Sequence, residues 1–86
     1  MPRISYFYGI AIYMYHRDHA PPHFHAIYGS YEAVIGVESG HVEHGQLPPR
    51  ATSLVEAWAT MHRHELMRDW ERAQAGEPLI QIPPLD

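Results

Sequence analysis

Short apolar and aromatic runs separated by turn residues occupy the first half of the chain, and apolar residues take helical spacing in the second half. The first half is rich in aromatic and β-branched residues, which favour strands. Four strands are predicted, at about residues 6–15, 23–28, 31–37 and 41–46. Gly29-Ser30 and Ser39-Gly40 are short links with turn residues, and strands joined by such links pair antiparallel. We therefore predict an antiparallel meander of about four strands.

No Gly or Pro interrupts the chain from Arg50 to Ala75, where large apolar residues recur every three to five positions. This spacing predicts one amphipathic helix over about 49–75, with its apolar face toward the sheet. Pro49 suits the first helical turn, and Gly76 suits the position just after the last one. A straight helix of this span is about 40 Å long, which exceeds the size of a compact domain this small. We expect that it either kinks or meets another chain with its second half.

The C-terminal segment, Leu79 to Leu85, is expected to be extended and either to add a short edge strand or to lie against the helix. A chain of 86 residues that is 45% hydrophobic supports one small core. The predicted fold class is therefore α+β, with residues 1–86 as a single domain. Trp58 and Trp70 are expected to be core or interface anchors. A domain this small is marginally stable alone, which favours a homo-oligomer or a partner protein.

Composition excludes several classes of function. The chain has no cysteine, so disulfides and thiolate chemistry are excluded. No apolar stretch approaches the ~20 residues that a membrane helix requires, and the first residues do not resemble a signal peptide, so we expect a cytoplasmic protein. Ten acidic residues against six arginines give a net charge of −4. That balance does not favour nucleic acid as a partner, although a nucleic-acid-binding regulator stays open.

Four of the eight histidines lie within residues 16–25. Pro21 and Pro22 restrict the backbone and force an extended entry into the following strand. Alternation along that strand places His23 and His25 on one face. Two imidazoles side by side on a stiff backbone can share a proton, an anion or a metal ion.

The predicted helix carries a second polar pair, because His62 and Glu65 are three residues apart and share a helix face. A site for zinc or a similar divalent metal needs three or four nitrogen or oxygen ligands. Strand and helix together supply that number if the helix crosses the same face of the sheet. The candidate catalytic and metal-ligating residues are therefore His23, His25, His62 and Glu65. Asp18 and His19 are alternative ligands or plain turn residues. Without a metal, the histidine pair suits the acid–base chemistry of phosphodiester cleavage.

Several segments of the chain match a known family. They are Pro2-Arg3-Ile4-Ser5, Phe7-Tyr8-Gly9, Pro22-His23-Phe24-His25, Tyr28, Glu32-Ala33, Leu47-Pro48, Trp58, His62, Glu65-Leu66, Trp70, Gly76 and Ile82-Pro83-Pro84-Leu85. On these segments the chain resembles, over nearly its whole length, the bacterial family known as domain of unknown function 4160. The resemblance implies a small protein encoded beside another short protein, as in a two-gene module of toxin–antitoxin type. It implies no set of catalytic residues.

Three functional hypotheses follow. The first is a small intracellular bacterial protein that acts through protein–protein association in such a module, with a toxin-like role as one option and a histidine-rich site. Its expected partner is a second copy or the small protein encoded nearby. The alternative is a metal-assisted or histidine-based nuclease or hydrolase that uses the four candidate residues. The third is a nucleic-acid-binding regulator.

Overall fold

The computed structural model describes residues 2–86, which form an antiparallel sheet followed by two helices. The strands are β1 (Arg3–Phe7), β2 (Ile10–Tyr13), β3 (His23–Tyr28), β4 (Tyr31–Gly36) and β5 (Val42–Gly45). The helices are α1 (Pro49–Met61) and α2 (Arg63–Ala75). Each strand pairs with the next one along the chain, so the spatial order is β1-β2-β3-β4-β5. The predicted α+β class and antiparallel meander are confirmed, with five strands in place of four.

The additional strand arises because the predicted strand over residues 6–15 is a hairpin. Tyr8 and Gly9 form its two-residue turn with φ values of +50° and +78°, and Phe7 pairs with Ile10 across it. Positive φ at both central residues is the mark of a type I′ hairpin turn. Tyr rarely adopts this conformation, so the aromatic run gives no signal of a break. The other strands agree with the prediction to within one residue at each end.

The single helix predicted over 49–75 is also corrected, because it breaks at His62, where φ is −116° and ψ is +25°. Helical hydrogen bonds continue through the break: the N–H of His62 donates to the Trp58 carbonyl, and the N–H of Leu66 donates to the His62 carbonyl. The longest dimension of the domain is 34 Å, shorter than a straight helix of this span. Of the two expected outcomes, the kink is the one found, and it lets both halves pack on the same sheet.

One face of the sheet and the two helices enclose the core. Trp58 is fully buried, and its ring centroid lies 5.2 Å from that of Phe7 and 5.6 Å from that of Phe24. Its Nε1–H donates to the Pro83 carbonyl at 2.9 Å. Trp70 is 7% exposed. Both tryptophans therefore pack inside the chain's own core, which is the first of the two roles expected for them.

The C-terminal tail is extended, as expected, and lies beside β1 rather than forming a strand. The N–H of Ile82 donates to the Ile4 carbonyl at 2.8 Å, and the N–H of Ile80 donates to Asp69 Oδ1 at 2.9 Å. The tail thus bridges the outer edge of the sheet and α2. Neither helix within residues 2–86 has the length and apolarity needed to cross a membrane.

Candidate metal centre

The site forms in the loop of residues 14–22, which connects β2 to β3. This loop is fastened to the C-terminal end of α2, because the N–H of Arg17 donates to the Ala73 carbonyl at 3.1 Å. In addition, Nε2 of Gln74 donates to the Asp18 carbonyl at 3.0 Å. The end of the helix therefore fixes the position of Asp18 in front of the first residues of β3.

Three metal-binding side chains converge at this point. The rings of His23 and His25 lie on the same side of β3, as the alternation predicted, with their centroids 5.3 Å apart. Asp18 Oδ2 lies 2.9 Å from His23 Nε2 and 3.4 Å from His25 Nε2. Their ligand atoms all lie within 4.8 Å of one another, and no other group of three or more such residues converges within residues 2–86.

The second ring nitrogen of each histidine is held by an oxygen acceptor. His23 Nδ1 lies 2.8 Å from the Pro21 carbonyl oxygen, and His25 Nδ1 lies 3.3 Å from Glu32 Oε2. Carbonyl and carboxylate oxygens only accept, so each Nδ1 carries a proton and donates. In a neutral ring this leaves the lone pair on Nε2, facing Asp18 Oδ2, which is also an acceptor. A proton or a metal cation must therefore lie among the three atoms.

The two distances from Asp18 to the histidines fit a shared metal ion. Two ligands that each lie ~2.1 Å from one ion are about 3.0 Å apart at a right angle and about 3.4 Å apart at a tetrahedral angle. The two Asp18–histidine separations, 2.9 and 3.4 Å, correspond to these values. Metal-binding histidines commonly donate their other N–H to a carbonyl or carboxylate, as His23 and His25 do here. Three protein ligands leave a coordination position open, which is typical of catalytic zinc sites.

Asp18 is partly buried but ionises readily. Burial alone would raise the pKa of its carboxyl group, but the hydrogen bond from the His19 backbone N–H, together with those from the rings of His23 and His25 when Nε2 carries a proton, outweighs that effect. The net result is a pKa below the usual value for aspartate. The carboxylate, which is the form that binds metals, is therefore present at neutral pH.

Aromatic rings surround the two histidines. The His23 ring packs against Trp70, with the centroids 5.2 Å apart, and the His25 ring meets Tyr15 edge-on at 4.7 Å. Burial, followed by the charge of Glu32, raises the pKa of the Tyr15 phenol. The phenol therefore stays protonated, and the ring contacts hold both imidazoles in place on their non-ligand sides.

A cavity of about 120 Å³ opens beside the ligand atoms. Its lining residues are His19, Pro21, His23, His25, Val34, Glu43 and His44. Val34 pairs with His25 on one side and with His44 on the other, so these side chains form a row across the open face of the sheet. The cavity provides room for a water molecule or a small part of a substrate next to the two histidines.

Residues 9–71 match the model of the family described as domain of unknown function (DUF4160). The chain belongs to this family. The matched segment includes Asp18, His23, His25 and Glu32. Neither the curated proteins nor the solved structures gave a match. The family description assigns no activity, so the function of this DUF4160 protein must be argued from its site.

The other two candidate residues form a separate pair. His62 Nδ1 and Glu65 Oε1 are hydrogen-bonded to each other at the break between α1 and α2, and the His62 ring packs against Trp58. Neither belongs to the Asp18 group. The structure thus brings together two of the four predicted residues and supplies the carboxylate from Asp18, an alternative ligand. The only signal for Asp18 in the sequence is its place five residues before His23.

Proposed function

We propose that this DUF4160 protein binds one divalent transition-metal ion through Asp18, His23 and His25, and that the ion activates water for hydrolysis. The observation that carries the proposal is the common orientation of the two imidazoles. Both direct Nε2 at one carboxylate oxygen, while both Nδ1 atoms are held by acceptors. Imidazole nitrogen with carboxylate oxygen suits Zn²⁺, Ni²⁺ or Fe²⁺ better than Ca²⁺ or Mg²⁺. We take zinc as the first ion to test.

The hydrolytic role rests on the open position and the adjoining cavity. A zinc ion with three protein ligands lowers the pKa of a bound water toward ~7 and so produces a nucleophile at neutral pH. The cavity beside His25 and His44 admits a substrate at that position. No arginine lines this cavity. We therefore expect a small ester or phosphodiester to fit the site better than a long nucleic acid.

The first experiment measures metal content. Protein prepared without an affinity tag is analysed for bound metal, and the metal-depleted protein is titrated with Zn²⁺, Mn²⁺, Ni²⁺ and Fe²⁺. We expect one equivalent to bind, and we expect His23→Asn and His25→Asn to abolish binding. His64→Asn is the matched control, because His64 is exposed on α2 and lies outside the group. Failure to bind any of the four ions, or equal binding by all variants, would contradict the metal site.

The second experiment measures hydrolysis with chromogenic carboxylic esters and phosphodiesters. We expect turnover that depends on the added metal, that a chelator removes, and that His25→Asn lacks. Metal-independent turnover that requires both His23 and His25 would support the histidine-based acid–base alternative. Stoichiometric metal binding without turnover on any substrate would leave the ion a structural role and contradict the hydrolase.

A second proposal, association within a two-gene module of toxin–antitoxin type, is favoured by the exposed edge of the sheet. β5 pairs with β4 alone, and most of its residues are exposed. An open strand edge can accept a strand from another chain. Measuring the molar mass in solution, alone and with the protein encoded by the neighbouring gene, tests this proposal. A chain that stays monomeric in both cases would contradict it.

A further inference from the structure

Two hairpin turns, Tyr8-Gly9 and Gly29-Ser30, meet at one end of the sheet. Tyr28 packs its ring over Gly9, so closely that a Cβ atom there would lie 3.3 Å from Tyr28 Cε1. The side chains of Tyr8 and Tyr28 stay 53% and 38% exposed. Between them and the start of α1 lies a cavity of about 200 Å³. Its lining residues are Tyr8, Ile10, Tyr28, Pro48, Arg50, Ala51 and Leu54.

Tyr8 occupies a conformation that its residue type disfavours. Its φ of +50° belongs to the first central position of the type I′ turn, where Asn, Asp or Gly is preferred. The exposed ring gains little core burial in return. Its hydroxyl donates to the Asp86 carbonyl oxygen at 2.7 Å, also at the surface. A residue that adopts a disfavoured backbone conformation without a gain in packing is typical of functional positions. The positive φ of Tyr8 places its ring in the wall of the cavity.

Arg50 is the one charged residue among those that line the cavity. Arg50 forms no ion pair in the part of the chain that the structure describes. No acidic residue lines the cavity, and none lies in the first turn of α1. The arginine fork binds carboxylates and phosphates through two parallel hydrogen bonds. An anionic group at the mouth would satisfy this unpaired guanidinium group.

The size of the cavity limits the ligand. Sites for cofactors and drug-sized molecules have volumes of about 300–1,000 Å³, above the volume found here. One aromatic ring with a small substituent fits, whereas a nucleotide does not. The apolar floor formed by Ile10, Ala51 and Leu54 suits such a ring.

We propose that this cavity, which is separate from the metal centre, binds a small planar aromatic anion. The ring lies between Tyr8 and Tyr28, and the carboxylate or phosphate binds Arg50. This cavity shares no lining residue with the one beside His23 and His25. The inference therefore does not depend on the proposed hydrolytic function.

The test is an NMR titration of the full ¹⁵N-labelled chain with benzoate and, in a second arm, with phenyl phosphate. We expect saturable shifts of the amide signals of Gly9, Arg50 and Ala51. The tighter of the two probes identifies the anionic group as carboxylate or phosphate. Benzyl alcohol and benzylamine keep the ring but lack the negative charge, and we expect each to bind at least ten-fold more weakly.

Matched variants separate recognition from folding. We expect Arg50→Gln to weaken binding of the aromatic anion at least ten-fold, and Arg68→Gln, an exposed arginine outside the cavity, to leave it unchanged. Tyr8→Asn keeps the turn and removes the ring, so it should also weaken binding. The proposal is overturned by absent shifts, by equal binding of the uncharged ring, or by an Arg50→Gln variant that binds as the wild type does. It is also overturned if diffusion measurements show a wild-type dimer that Tyr8→Asn converts to a monomer, because a second copy would then occupy this face.

Discussion

Replacing Glu32 with Gln tests the metal centre without changing a ligand. Glu32 lies on β4, and its Oε2 accepts a hydrogen bond from His25 Nδ1 at 3.3 Å. The side chain is 56% exposed, so the substitution leaves the core intact. Gln keeps an oxygen acceptor of the same shape but removes the negative charge that favours the His25 orientation and strengthens its Nε2 as a ligand.

The structure sets the magnitude that we expect. Loss of a partner that orients a metal-binding histidine typically lowers metal affinity 10- to 100-fold. The Glu32–His25 hydrogen bond is long, and the carboxylate is more than half exposed, so solvent screens its charge. We therefore expect the lower end of that range, about ten-fold, or ~1.4 kcal/mol.

The assay is a competition titration of Zn²⁺ against a chromophoric chelator at fixed pH and salt. Glu38→Gln is the matched control, because Glu38 is an exposed acid that follows β4 and lies outside the metal-binding group. Glu38→Gln should bind zinc as the wild type does. A Glu32→Gln affinity within two-fold of wild type would refute the role of Glu32. An equal loss in both variants would show that only net charge matters.

Three further outcomes are expected. Zinc at 100 times its dissociation constant should stabilise the fold by ~2.7 kcal/mol, which raises Tm in calorimetry by ~10–20 °C at this chain length; no rise would contradict binding to the folded state. Asp69→Ala leaves the Ile80 N–H and the Arg72 guanidinium without their acceptor, so we expect a loss of ~3 kcal/mol and faster hydrogen exchange at Ile80. Trp58→Phe keeps an aromatic ring but leaves the Pro83 carbonyl without its donor, and should cost ~1–3 kcal/mol in urea unfolding.

The β3–β4 hairpin is predictable because residues next to each strand in the sequence define where the strand begins and ends. Pro22 marks the entry to β3, and Gly29 in its positive-φ turn marks the step to β4, so this hairpin is predicted within one residue. The β1–β2 hairpin escapes prediction because Tyr8 adopts a positive φ against its own preference. Its aromatic neighbours continue the strand pattern through the turn, and only strand pairing reveals the break.

The helix break has no local signal of its own. His62 is neither Gly nor Pro, and the apolar spacing continues across it. Only the length of the helix relative to the domain indicates that it cannot be straight. The position of the break depends on how Trp58 and Trp70 both reach one core, and that is a property of the folded domain.

Two of the three ligands of the candidate metal centre are predictable for the same reason as β3. Strand alternation places His23 and His25 on one side, and their rings are neighbours in the structure. The carboxylate is predicted wrongly, because sequence spacing favours Glu65, which shares a helix face with His62, over Asp18, which has the place of a turn residue. Glu65 lies one helical turn from His62 and pairs with it, whereas Asp18 depends on the path of a loop.

That path is set by residues far along the chain. The loop carrying Asp18 is fixed by hydrogen bonds to Ala73 and Gln74, the latter 56 residues away in sequence. Metal binding at Asp18 requires the loop to be docked on α2, so the free energy of binding also stabilises that docking. Trp70 on α2 also packs against the His23 ring. The helix therefore contacts two of the three candidate ligands, Asp18 through Gln74 and His23 through Trp70. The candidate metal centre therefore depends on the tertiary contact between the sheet and α2 and not on the histidine motif alone.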